Sequence, residues 1–175
     1  MIRKTFNFLS QASVAAVLFI GVALAEPQAP SKGVDDAAFA KSFLGKPYTG
    51  NLSVEGWTGI SGGLVSPPIY VNQYQREDGT FLLLTSKETE PASSTSPASY
   101  QVTDALLVAK PKRGATLSIA CTKGEDYTLR FIGEARGSDS AEWWTRMNRA
   151  WEIELETGKI LETKTRGVKC ENPSW

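Results

Sequence analysis

Five consecutive residues, Gly59-Ile60-Ser61-Gly62-Gly63, fit G-x-S-x-G, the turn that lifts a nucleophilic serine above a sheet in acyl-transfer enzymes. Such a serine needs a base to take its proton, and histidine is the usual one. The 175-residue chain contains no histidine. The motif also needs a helix directly after it, whereas Leu64-Val65-Ser66-Pro67-Pro68 follows here, and paired prolines do not begin a helix cleanly. No serine has a lysine three residues on, so a Ser-Lys pair is not encoded either. Residues 59–63 therefore read as a glycine-rich loop between strands.

The missing histidine closes off further chemistry: Cys-His nucleophiles, His-based zinc sites and haem ligation by His. No G-x-x-x-x-G-K-[ST] phosphate loop, G-x-G-x-x-G fingerprint or EF-hand loop occurs. No cofactor or metal is expected. Carboxylates remain, since a pair of them suffices to hydrolyse a glycoside. With 19 acidic residues in the chain, some pair always lies close, so this signal has little specificity. Asn51-Leu52-Ser53 fits an N-glycosylation acceptor, which matters only in a host that glycosylates.

The positive clue lies in residues 138–151 (SDSAEWWTRMNRAW). Asp139 with Glu142 three later resembles a helix start. A helix there puts Trp143, Met147 and Trp151 on one face and Glu142 beside Arg146. Trp144 then projects elsewhere, because adjacent helical residues diverge by about 100°. Trp and Arg are enriched where proteins bind, and flat indoles stack on sugar rings. Trp143, Trp144, Arg146 and Arg149 are thus the candidate binding residues, with Trp144 the preferred exposed anchor. The structural reading, which is favoured over an exposed anchor, has a helix wedged between layers bury both indoles, with an N–H donating to a carbonyl.

The elements that must position these residues are mostly strands. A short helix is expected first: Asp35 and Asp36 suit its first turn, Lys41 its last, and Gly45 ends it, with Phe39 and Phe43 sharing a face. Strands are expected near residues 52–58, 69–76, 81–87, 100–109, 115–122 and 127–134. The second and third join across Asp78-Gly79, a hairpin signal, and residues 91–99 form a polar Ser/Pro loop. In residues 149–156, Trp151, Ile153 and Leu155 alternate with Glu152, Glu154 and Glu156, the mark of a half-buried antiparallel strand. Thr157-Gly158 turns it, and residues 159–166 return with Lys and Arg opposite the glutamates. The fold class is mainly β: a small antiparallel β-barrel or β-sandwich of about seven or eight strands. It has the short N-terminal helix and a short helix before the last hairpin. The run of adjacent hairpins favours the barrel.

Ahead of this domain, Arg3 and Lys4, the uncharged apolar residues 12–24 and the Ala23-Leu24-Ala25 site make residues 1–25 a cleavable signal peptide. The apolar run falls short of the roughly 20 residues that span a bilayer. Residues 26–33 are a flexible lead, and residues 34–175 a single domain. Export makes Cys121 and Cys170 a disulfide, not a metal or redox pair. Cleavage also removes Arg3 and Lys4 from 19 basic residues set against 19 acidic ones. The slightly acidic remainder disfavours nucleic acid and anionic membranes as partners, and no integral membrane association is expected after cleavage. The expectation is a periplasmic or secreted, non-enzymatic binding or envelope-associated protein whose partner is a protein or glycan. A carboxylate-dependent glycan-active enzyme and a structural component of envelope assembly are the alternatives.

Overall fold

A computed structural model describes residues 35–138 and 140–174; the signal peptide and lead expected at residues 1–33 lie outside the described residues, as does Asp139. Helix α1 (Asp35–Lys41) forms where Phe39 and Phe43 recur at helical spacing. Their rings meet edge to face at 5.1 Å, and the chain leaves the helix through Gly45, whose φ of 75° suits only glycine.

The N-terminal sheet holds β1 (Pro47–Thr49), β2 (Thr58–Ser66), β3 (Ile69–Gln75), β4 (Phe81–Glu90) and β5 (Ser99–Val108), in the order β1-β5-β4-β3-β2. The C-terminal sheet holds β6 (Thr116–Lys123), β7 (Asp126–Arg136), β8 (Trp143–Trp144), β9 (Arg146–Ile153), β10 (Ile160–Thr163) and β11 (Val168–Glu171), in the order β10-β9-β7-β6-β11-β8. Every pairing is antiparallel. The Asp78-Gly79 signal holds: Gly79 takes a φ of 88°, and the Asp78 carboxylate accepts the Thr80 N–H at 2.9 Å.

The two sheets pack face to face. Ile69, Val71, Phe81, Leu83 and Val108 of the N-terminal sheet meet Leu117, Ile132, Trp151, Ile153 and Ile160 of the C-terminal sheet. Polar tethers cross the same space. Gln73 Nε2 donates to the Leu117 carbonyl at 3.1 Å, the Thr85 hydroxyl donates to the Gly158 carbonyl at 2.5 Å, and the Ile160 N–H donates to Asp104 Oδ2 at 2.8 Å. On the outer face of the N-terminal sheet, Leu82, Leu84, Tyr74 and Val102 are covered by Ala40 and Phe43 and by Val54 of the following segment. Strand β4 is therefore buried on both faces, and Phe81-Leu82-Leu83-Leu84 runs apolar without alternating.

The C-terminal sheet curls over itself. Strand β11 lies beside β6, where Cys170 pairs with Cys121, and the two form a disulfide. The bridge sits on Gly133 of β7: a β-carbon there would fall 2.6 Å from Cys170 Sγ and 2.8 Å from Met147 Sδ. Around it Phe131, Ala135, Trp144, Ala150 and Val168 form a second small core.

Five expectations are corrected. The sheets do not close into a barrel, because β1 returns to pair with β5 and β11 inserts between β6 and β8, which leaves each sheet with its own edges. The strands are eleven among the described residues, several too short to read from pattern alone. The helix before the last hairpin is absent: residues 143–144 and 146–153 are β8 and β9. An extended chain sends adjacent side chains to opposite faces, which seats two neighbouring tryptophans differently without a helix. Finally, residues 59–63 are not a loop but the middle of β2, held by pairing with β3. The charge row on β9 also finds another partner, since Glu152 pairs with Arg130 of β7 at 3.0 Å, not with the returning strand.

Candidate functional site

Trp144 is 9% exposed. Its ring lies against Gly137, where a β-carbon would collide with it, and its Nε1–H donates to the Ser138 carbonyl at 3.2 Å. Trp143, the neighbour, is half-buried and carries Lys169 Nζ over its face at 4.5 Å. Arg146 is exposed and stands opposite Arg136. These three residues share a shallow concavity of about 370 Å³ with Arg136. Arg149 does not join them. Its Nε donates to Glu134 Oε2 at 2.7 Å, and its guanidinium lies 5.2 Å over Trp151.

Glu134 is the hub of that second group. Only 1% exposed, it also accepts the Lys112 N–H at 3.1 Å and Asn148 Nδ2 at 2.9 Å. Burial alone would raise its pKa, but hydrogen bonds from Asn148 and Lys112 and the Arg149 guanidinium outweigh burial and hold it below the ordinary carboxylate value. The cluster clamps the 109–112 segment to β7 and β9. Its charge is fully used in that role.

A larger concavity, about 450 Å³, opens on the outer face of the N-terminal sheet, beside the area that α1 covers. Strands β1, β5 and β3 each supply a tyrosine. Tyr48 and Tyr100 are directly paired across β1 and β5, with near-parallel rings 5.1 Å apart. Tyr70 meets Tyr100 edge-on, also at 5.1 Å. Alternation along β3 sends Tyr70, Asn72 and Tyr74 to this outer face while Ile69, Val71 and Gln73 point into the sandwich. Asn72 Nδ2 donates to the Tyr48 oxygen at 3.3 Å, and the Tyr74 hydroxyl donates to the Leu52 carbonyl at 2.8 Å. The Tyr70 hydroxyl donates to Glu88 Oε2 at 2.8 Å.

Three of the phenols have raised pKa values. The hydrogen bond to Glu88, with burial second, pushes Tyr70 up to about 12. Burial, then the Tyr48 oxygen, pushes Tyr74 up to about 12. Burial likewise raises Tyr48, against opposing hydrogen bonds from Ser86 and Asn72. No charged side chain lines the concavity. Its surface consists of ring faces, hydroxyls, amides and the aliphatic side chains of Leu52 and Ile60.

The far wall is β2, and its glycines differ in what requires them. At Gly62 a β-carbon would fall 2.5 Å from Asn72 Oδ1, so close pairing with β3 demands glycine there. At Gly63 a β-carbon would meet nothing within 4 Å, and at Gly59 only the Tyr74 ring at 3.9 Å, an ordinary contact. Neither has a positive φ. Gly59 flanks the register break at Ile60 on the face of Tyr74, while Gly63 pairs with Val71 on the sandwich face; glycine within a strand marks a bulge or close approach by a ligand or another backbone.

By contrast, the groove holding Glu152, Glu154, Glu156 and Glu162 has two of its acids engaged, Glu152 by Arg130 and Glu154 by the Thr157 hydroxyl. Among the described residues, no three His, Cys, Asp or Glu side chains come together in a way that could hold a metal ion. Sequence reasoning named the glycines only as a loop and passed over Tyr48, Asn72 and Tyr100. The available signal was a strand-length run without charge or large aromatic side chains directly before the tyrosine-rich residues 69–76. Neither a protein-family model, nor a curated protein, nor a solved structure matches this chain.

Proposed function

We propose that this protein is an exported, non-enzymatic binding module whose ligand is a neutral, hydroxyl-rich molecule of the glycan class, received in the tyrosine-lined concavity. The carrying observation is the uncharged concavity lined by four tyrosines, with Gly59 on its wall where neither backbone angle nor neighbouring atoms require glycine. Its absent side chain leaves the wall open on the face that Tyr74 shares. Ring faces suit the apolar faces of sugars, and the Asn72 amide and the phenols offer donors and acceptors to hydroxyls. The uncharged lining favours a neutral ligand over an anionic one. Export is supported by the signal features of residues 1–25. The disulfide suggests an oxidising, non-cytoplasmic compartment, and periplasm or secretion is the finer assignment that we propose.

Isothermal titration with a panel of neutral oligosaccharides tests the reading. Binding by at least one of them is expected, weakened ten-fold or more by Tyr100→Ala and by Gly59→Val. A folded protein that binds none of the panel, or binds unchanged in both variants, overturns it.

A further inference from the structure

Strand β2 is the outermost strand of the N-terminal sheet, and residues 58–64 are all exposed. The other sheet edges are blunted in familiar ways. Strand β1 has three residues and starts with proline, β8 has two, and β10 has four, including Glu162, between Lys159 and Lys164. Strand β2 has nine residues, with no charge and no proline. Ile60 and Leu64 stand 49% and 48% exposed on it.

Three of the four residue pairs mirrored about Gly62 in β2 match in kind. Thr58 mirrors Ser66, both hydroxyls, Ile60 mirrors Leu64, both aliphatic, and Ser61 mirrors Gly63, both small, while Gly59 and the inward Val65 do not match. Antiparallel pairing with a copy of itself about Gly62 places mirrored residues directly opposite on the same face, so the two exposed aliphatic side chains, Ile60 and Leu64, meet twice across a two-fold interface. Register breaks against β3 fall at Ile60 and Val65, on either side of the axis, and leave residues 61–64 regular. We propose that a second copy of this chain pairs with β2 in this register. Each Ile60 then covers the partner's Leu64, while Gly62 on the axis lets the backbones meet without a side chain between them. Because the axis is perpendicular to the sheet, both tyrosine concavities open on the same side of one continuous sheet.

Analytical ultracentrifugation of the purified protein over a hundred-fold concentration range tests this. The expected mass rises from one chain to two, and amides 58–66 gain exchange protection in step. I60K/L64K sets like charges opposite each other twice and yields a folded monomer by circular dichroism. I60K/L64E sets opposite charges there and restores the dimer. A wild-type monomer at every concentration overturns the proposal, as does a dimer that I60K/L64K leaves intact. A folded I60K/L64E variant as monomeric as I60K/L64K overturns the register. Glycan binding by a monomer would leave the functional reading standing while this one fails.

Discussion

Glu134 and Trp144 show how a buried polar or aromatic side chain is settled by the atoms around it. The Glu134 carboxylate is almost fully enclosed yet ionised, because two N–H donors and the Arg149 guanidinium meet its two oxygens. Truncating it removes the buried acceptor of three part-buried hydrogen bonds, so Glu134→Ala should cost about 1–3 kcal/mol in urea unfolding. The pH dependence follows from the direction of its shift. A carboxyl held below its ordinary value of 4.5 contributes its full stability above that pH and loses it as pH falls through the folded-state value. Glu134→Gln should therefore flatten the decline in stability on acidification; an unchanged acid limb would contradict this. Trp144 packs on Gly137 with its N–H satisfied, so Trp144→Ala should cost about 3–5 kcal/mol, as core truncations of large aromatics do. Trp143, half-buried with Lys169 over its face, should cost about 1 kcal/mol or less on truncation. Equal losses at both positions would remove the distinction. Neighbours in sequence, the two residues are told apart only by the strand that carries them.

At the scale of elements, local signals were legible and long-range ones were not. The β3–β4 turn was readable because Asp78 and Gly79 act on their own backbone. The inward row of Trp151 and Ile153 was readable because alternation survives wherever one face is wet. Residues 143–151 also satisfy helical spacing, and pairing of β9 between β7 and β10 overrode that local preference. The glycines of β2 look like a loop by propensity and become a strand only because β3 offers its ladder. The Tyr48–Tyr70–Tyr100 cluster was the least legible feature. It depends on the order β1-β5-β4-β3, which brings residues far apart in sequence to one face. The Cys121–Cys170 bridge, expected from compartment logic, joins directly paired residues of β6 and β11 and closes a separation of 49 residues. Removing it should lower stability by about 4 kcal/mol in the chain-entropy account. Denaturant unfolding with and without reductant measures the difference, and coincident curves would contradict it.

For the whole molecule, two sheets bury one core between them, and each outer face is treated differently. The C-terminal sheet covers its own outer face by curling β11 and β8 over β7 and β9 around the disulfide. The N-terminal sheet covers only part of its own with α1 and the segment after it. The rest stays open as the tyrosine concavity, bounded by β2, where Gly62 is required by close pairing with β3 and Gly59 is not required by its neighbours. That uncovered area is the surface we propose for binding. Backbone amide NMR during titration with a neutral oligosaccharide that binds tests this most directly. Shifts should concentrate at residues 48–52, 59–63, 70–74 and 100, with residues 143–149 unmoved. Shifts centred on Trp143 and Arg146 instead, with the tyrosine strands silent, would contradict the account.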